Sequence, residues 1–433
     1  MAKKKKRNPD HVRRRQMPGP DNEVIEAQLA ELVTPAVANQ MAYYRQLGLR
    51  SRILNLPLMV AAVLTILWRQ VPSVHELTRM LAREELLWCR AVKVSQQALS
   101  QRFLSFPAEL FERVLKELLP VLQQRWLGRH SRPLPESLAH ARQHFEQIWV
   151  ADGATLEALF RKLKVLKDVP VGQLAGKIGT VVDLLSRLPV EIWFREQPRG
   201  HDTTFIADLL ALVKANTLLV LDRGFYDFDF FAALIEKQAA FITRLKTNAF
   251  FVVADTLTST DQVKDLIIFL GTGQNGSPVL KLRLVEVRFG KVWYRYLTSV
   301  LDPKVLPPFV VADIYRRRWR IEEAFHSVKR LLNLSYLWTG SVNGIQLQIW
   351  ATWLFYAILV DLGDAVADTL GLPFDRISLE MLYRGFYHFS RAVTLGLASD
   401  PVSYFADPAN HDLGVVKRLR KPIAHLDLSP FPI

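Results

Sequence analysis

Apolar side chains recur at three- and four-residue intervals between residues 22 and about 130, most regularly in 53–67, 75–87 and 110–122, with Pro72 and Pro107 as interruptions. Such spacing lines one face of an α-helix, so the first part of the chain is expected to be almost wholly helical. From Phe145 the texture changes. Compact apolar runs at 147–151, 178–185, 190–194 and 217–221, with a helix-like segment at 204–214 before the last, predict strand, strand, strand, helix, strand. Residues 249–300 are β-rich: 280–289 alternate with period two, Gly290-Lys291 supplies a turn, and 292–297 return as the second arm of a hairpin. An apolar helix and then a Pro-interrupted tail follow residue 340, and no internal repeat is visible.

Between the hairpin and that tail, residues 314–329 carry two stripes side by side. Tyr315, Arg318, Glu322 and Lys329 stand at offsets of three, seven and fourteen. At helical pitch they fall within roughly 60° of one another, next to an apolar stripe of Ile314, Ile321, Phe325, Val328 and Leu332. A carboxylate flanked by an arginine, a lysine and a phenol suits phosphodiester chemistry, in which the acid holds a metal and the others grip phosphate oxygens. The plainer alternative is a solvated helix with pairs such as Arg318 to Glu322. Against it, the spacing Tyr-x2-Arg-x3-Glu-x6-Lys arises by chance in such a chain only about a few times in a thousand.

Two further acids terminate predicted buried strands, Asp152 in Asp152-Gly153 and Asp222 in Asp222-Arg223-Gly224, at the carboxyl ends where open α/β sheets place their chemistry. With Glu322 they form a three-carboxylate set of the kind hard, oxygen-ligated cations need, and two Mg2+ ions about 4 Å apart serve in-line displacement at phosphorus. Singly, each acid is as readily a turn or a solvated helix residue. Among rival acids, Asp227 is better placed to cap the helix that begins at Phe228, Glu323 lies about 100° from Glu322 around the helix, and Asp183 is a neighbour in a β run. No His or Cys set has zinc spacing.

Asp152-Gly153, Asp222-Arg223-Gly224-Phe225-Tyr226 and the Tyr-Arg-Glu-Lys helix together resemble the DDE transposases of bacterial insertion sequences, specifically the IS-four group, over residues 77–350. The resemblance implies an α/β fold with a ribonuclease H-like catalytic core interrupted by a β-rich insertion, between helical N-terminal and C-terminal regions. The boundaries expected are a basic disordered tail (1–21), a helical N-terminal region (22–140), core (141–248), insertion (249–300), core with the Glu helix (301–345) and a C-terminal helical region and tail (346–433). It also implies cut-and-paste transposition with two Mg2+ ions, or Mn2+ instead, on double-stranded DNA (terminal inverted repeats and target) in a homodimeric complex. Asp152, Asp222 and Glu322 would ligate metal, and Tyr315, Arg318 and Lys329 would contact phosphates at the element's ends. Arg223, Arg244 and Lys246 are further DNA-binding candidates, and Trp293 or Tyr294 a platform for a flipped base, although cross-strand packing explains a hairpin aromatic equally well. The alternative function is a catalytically inactive, transposase-derived DNA-binding protein.

Charge agrees with a nucleic-acid partner. The chain of 433 residues carries 56 Lys and Arg against 42 Asp and Glu, a formal charge of +14. Lys3, Lys4, Lys5, Lys6, Arg7, Arg13, Arg14 and Arg15 crowd the first sixteen residues, a stretch suited to salt-sensitive attraction to a polyanion or, for 3–7, to nuclear import. No apolar segment directly follows these charges, as a secretory signal would require. The apolar runs 56–68 and 349–360 are short for a bilayer and fit buried helices, and the lone Cys89 excludes an internal disulfide framework; a cytoplasmic, nucleoid-associated protein without a membrane partner is expected. Ser95 is placed to cap a helix presenting Gln96, Gln97, Gln101 and Arg102, the second half of a helix-turn-helix or an ordinary bundle helix.

Overall fold

The computed structural model describes residues 23–49, 52–69, 71, 73–155, 176–197, 200–273, 278–331, 341–417 and 425–432. The basic tail, Pro72 and Leu332 fall outside these residues. The N-terminal part is helical as expected, with helices at Glu23–Asn39, Met41–Gln46, Leu56–Arg69, Val74–Arg83, Gln96–Ser105, Glu109–Leu127 and Glu136–Ala141. Ser95 caps its helix by accepting from the Ala98 N–H. The preceding helix touches it through His75 and Gln96, 3.0 Å apart. Residues 84–95, including a Leu86–Cys89 bridge, stand where a helix-turn-helix has a turn of three or four residues. Gln96, Gln97 and Gln101 are exposed, but Arg102 turns inward to the Leu54 carbonyl and the Tyr44 hydroxyl, which removes it from the expected DNA-facing set.

Among the described residues there are nine strands, β1 Gln147–Thr155, β2 Lys177–Asp183, β3 Pro189–Arg195, β4 Thr217–Leu221, β5 Ala240–Arg244, β6 Phe251–Ser259, β7 Val263–Leu270, β8 Leu280–Phe289 and β9 Val292–Thr298. They form one sheet in the order β3-β2-β1-β4-β5-β9-β8-β7-β6. β1, β2 and β3 are antiparallel, β1, β4 and β5 parallel. The β-rich segment is therefore not a separate layer. Its last strand pairs with β5 (Ile242↔Thr298, Thr243↔Leu297, Arg244↔Tyr296), and β9 to β6 continue the sheet as an antiparallel meander.

Because alternate residues of a strand face opposite ways, the central strands feed two cores. Ile148, Val150, Leu218, Val220 and Ile242 pack with the N-terminal helices and with the helix Val342–Leu370. Trp149, Ala151, Leu219, Leu221 and Phe241 pack with Phe205, Leu209, Phe230, Phe231 and Leu234 on the other side. Cover on both faces explains why these strands read as unbroken apolar runs. The 349–360 run belongs to the 29-residue helix Val342–Leu370, which is long and apolar enough to cross a membrane, yet 89% of its most apolar stretch is buried inside the protein. Its Asp361 and Asp364 pair with Arg129 at 2.8 and 3.0 Å, within the protein.

Candidate active site

The parallel ladder between β1 and β4 ends at Ala151↔Leu221. Asp152 and Asp222 are the next residues, so both project to the face lined by Ile148, Val150, Leu218 and Val220. β1 itself continues to Thr155, held by β2 alone with Asp152 opposite Thr180. Asp152 thus stands where the parallel pairing stops and not, as the sequence suggests, where the strand stops.

Glu322 comes from the opposite wall. The helix expected over 314–329 is three joined segments: Pro308–Arg317, Trp319–His326 and a π turn Ser327–Leu331, with Arg318 at the first junction keeping helical angles of φ −49 and ψ −32. Ile314, Ile321, Phe325 and Val328 are buried, as their stripe predicts. The wider π winding turns Lys329 from its ideal azimuth, but its Nζ still lies 3.4 Å from the Thr155 carbonyl at the end of β1.

Arg318 lies among the acids, its Nη1 3.1 Å from Asp152 Oδ2 and its Nε 3.7 Å from Asp222 Oδ1. Burial opposes its charge, but Asp222, Tyr315, Asp152 and Glu322 outweigh that and hold the guanidinium above its ordinary value. Asp152 is only 6% exposed. Burial pushes its carboxyl up to about 7; Arg318 and the Gly153 N–H pull the other way, while Glu322 and Asp222 add to the rise. Burial lowers the Lys329 ammonium, against the pull of Glu322 and Asp152. Tyr315 is buried, 5.4 Å ring to ring from Tyr296, and burial moves its phenol up to about 12.

Arg244, at the end of β5, shares the acids' face of the sheet, with its guanidinium 5.4 Å over the Tyr294 ring. Arg223 is exposed beside Asp222, and Lys246 sits 4.7 Å over the Tyr226 ring. Trp293 alternates to the other face, against Lys264. The rival acids are all engaged. Asp183 accepts from the Leu185 and Ser186 amides and closes the β2–β3 turn, Asp227 caps the helix Phe228–Glu236 through the Phe230 N–H, and Glu323 pairs with Arg320 at 2.7 Å.

Two clusters escaped the sequence reading. Asp375, brought from beyond the long helix, is ringed by Arg187, Arg317 and Arg320, the last at 2.7 Å, so the arginine run 316–320 is largely structural and Arg318 alone of it meets Asp152 and Asp222. Lys177 and Asp202 pair at 2.7 Å behind the first two acids. Partners so distant in sequence leave no periodic signal, though the glycines after Asp152 and Asp222 hint that something packs closely there.

Among the described residues, no three acidic, His or Cys side chains converge into a finished metal cage. Arg318 occupies the space between two of the acids. The donor chemistry nevertheless fits a hard cation: the groups facing Arg318 are carboxylates, and burial makes the ionised form of Asp152 costly, a cost that a bound cation would offset.

Residues 173–358 match the family model described as a transposase DDE domain. The chain is related to the DDE transposases. The matched stretch includes Asp222, Tyr315, Arg318, Glu322 and Lys329 and begins after Asp152. "Putative transposase y4zB" of Sinorhizobium fredii is 24% identical over 157 residues, 34% of this chain and 43% of the relative. "Probable transposase for insertion sequence element IS5377" of Geobacillus stearothermophilus is 27% identical over 154 residues, 34% of this chain and 40% of the relative. A Synechocystis transposase named for insertion sequence element IS4SA is 25% identical over 166 residues, 37% of this chain and 46% of the relative. The chain thus spans less than half the length of the curated relatives it matches.

Proposed function

We propose that this protein is a DNA transposase that cuts and joins strands at the ends of an insertion sequence, with Asp152, Asp222 and Glu322 as the ligands of a divalent metal, Mg2+ or Mn2+. The observation that carries this reading is the convergence of two strand-end carboxylates and the Glu322 segment around one arginine, on the face that also presents Arg244 and Tyr294. The strand order β3-β2-β1-β4-β5, three strands antiparallel and then two parallel, supports a ribonuclease H-like core. The metal, when bound, activates the attacking oxygen and stabilises the leaving one.

The chain's own residues bind and orient. Tyr315, Arg318 and Lys329 hold phosphate oxygens next to the scissile bond, Arg318 exchanging its carboxylate partners for phosphate through the same planar fork. Arg223, Arg244 and Lys246 extend the cationic surface along the strand, and Tyr294 is the better placed of the two aromatics to receive a base, because it shares the acids' face. The working complex is a dimer on double-stranded DNA, in the cytoplasm.

The test is purified protein with its own element's ends and Mg2+, assayed separately for end binding, nicking and strand transfer. Asp152→Ala, Asp222→Ala and Glu322→Ala should each abolish nicking while end binding persists. Wild-type nicking by Glu322→Ala would remove Glu322 from the ligand set, and end-specific binding by a wild-type protein that never nicks would favour the DNA-binding alternative.

A further inference from the structure

Asp152 and Asp222 are each followed closely by a glycine, and one carboxylate fits between those two glycines. A Cβ built on Gly153 would lie 2.1 Å from Asp202 Oδ1, and one built on Gly224 would lie 2.1 Å from Asp202 Oδ2. Both distances are far inside contact, so the Asp202 carboxylate fills the side-chain space of both residues at once. It is fixed there by Lys177, whose Nζ stands 2.7 Å from Oδ1 and donates to the Gly200 carbonyl at 2.5 Å. The Lys177 side chain is 8% exposed and that of Asp202 18%, so the pair is largely shielded from solvent. Lys177 is itself registered opposite Thr155 at the end of β1, and Phe205, at the end of the same 3-10 turn as Asp202, packs against Gly179 of β2. Gly153 faces away from Asp152 by strand alternation. The brace therefore supports the two acids from behind, at the point where β1 and β4 have ceased to be hydrogen-bonded to each other.

We infer that the Lys177–Asp202 pair is a positioning device that sets the distance between the Asp152 and Asp222 backbones and so determines how tightly those acids take up a divalent cation. This rests on the proposed metal-binding role of Asp152 and Asp222. The ladder that holds β1 to β4 stops one residue short of both acids; among the described residues, Arg318 links the two side chains on their own face, and this carboxylate with its lysine fills the gap behind the backbone. Asp202 lies against Gly153 and Gly224, on the side of β1 away from the Asp152 side chain, and so is placed to act through the backbone. A spacer of fixed thickness works through shape, and its lysine keeps the carboxylate from leaving for solvent. Removal of such an outer support typically weakens metal affinity by about 10–100-fold.

The experiment uses the full chain bound to duplex element ends, with Mn2+ binding followed by electron paramagnetic resonance and hydrogen exchange read over residues 150–155 and 221–226. Asp202→Asn keeps the shape but loses the charge pairing, Asp202→Glu keeps the charge but is one methylene too thick, and Lys177→Arg retains a cation. Asp202→Asn and Asp202→Glu should each lower the melting temperature, because Lys177 loses its partner or the space is overfilled, and should weaken Mn2+ binding about tenfold or more and speed exchange in both segments under conditions where the variant is still fully folded, with end binding nearly unchanged; raised Mn2+ should restore nicking. Lys177→Arg should recover most of the affinity. Wild-type Mn2+ affinity and exchange in both Asp202 variants would overturn the inference, as would a loss of affinity matched by an equal loss in Lys177→Arg. Should either Asp202 variant not fold, the comparison of Lys177→Arg with Lys177→Met decides in the same way. Asp152→Ala is the control: if wild-type and Asp152→Ala bind Mn2+ alike, the metal-site reading itself fails and takes the brace with it, whereas a dead Asp152→Ala beside unaffected Asp202 variants removes the brace alone.

Discussion

A buried carboxylate with too few counter-charges is under tension that a cation or a mutation can relieve. In the unliganded protein the Asp152 carboxyl is raised from 3.8 to about 7, first by burial. A folded-state value above the unfolded one means that its stabilising contribution is complete below pH 3.8 and is lost as pH rises to about 7. Asp152→Asn should therefore raise the stability of the metal-free protein at pH 8 by on the order of a few kcal/mol and change it little near pH 4, as read from urea unfolding at the two values. No gain at pH 8 would show that Arg318 already compensates the charge. Asp375 behaves oppositely: burial pushes it up, but Arg187, Arg320 and Arg317 prevail and hold it well below the usual carboxylate range. Its contribution is present above its unfolded value and is lost as pH falls through the folded one. Asp375→Asn should cost about 3–5 kcal/mol at pH 7, a difference that stays constant down to about pH 5 and shrinks only in stronger acid. The residue types at these positions were legible beforehand for Asp152, Asp222 and Glu322, because each sits at a patterned place on a strand or helix. Asp375 and Asp202 were not, because their meaning lies in partners more than twenty residues away.

At the scale of elements, the order strand, strand, strand, helix, strand followed from apolar runs buried on both faces. The segment over 314–329 was legible as a buried stripe beside a polar one, whereas its division at Arg318 and its π turn were not, since winding depends on tertiary contacts. The continuity of the β-rich segment with the main sheet was equally hidden, because the hairpin pattern says nothing about which strand its edge will meet. One buried contact ties that segment to the Glu322 side of the site. Arg283 on β8 and Asp265 on β7 are fully buried, paired at 2.6 Å, and Arg283 also donates to the Leu306 carbonyl at 2.7 Å, just ahead of Pro308–Arg317. Asp265→Ala leaves a buried guanidinium without its carboxylate and should destabilise the protein by about 3–5 kcal/mol in denaturant titration. If Arg283 also sets the start of that helix, the same variant should slow strand transfer more than end binding; equal losses would confine the pair to stability.

For the molecule as a whole, half of the formal charge of +14 lies in the first sixteen residues, which carry eight cations against Asp10, and the other half is spread over the rest of the chain. Deleting residues 1–16 should weaken binding to any duplex and flatten the slope of log affinity against log salt by up to about seven, with little change in sequence preference. An unaltered slope would place the tail off the DNA. The seam between β5 and β9 has a different consequence, for the order in which the protein assembles. It comprises three registered pairs, against eight between β7 and β8. Strands β6 to β9 pair with sequence neighbours, while β1 must find β4 across the interval from Gln147 to Thr217. Closing short loops is faster than closing long ones. The meander should thus form early in refolding and serve as a template edge onto which β5, and then the parallel strands bearing the two aspartates, are laid; the face that brings Asp152 and Asp222 together would be the last part of the sheet to form.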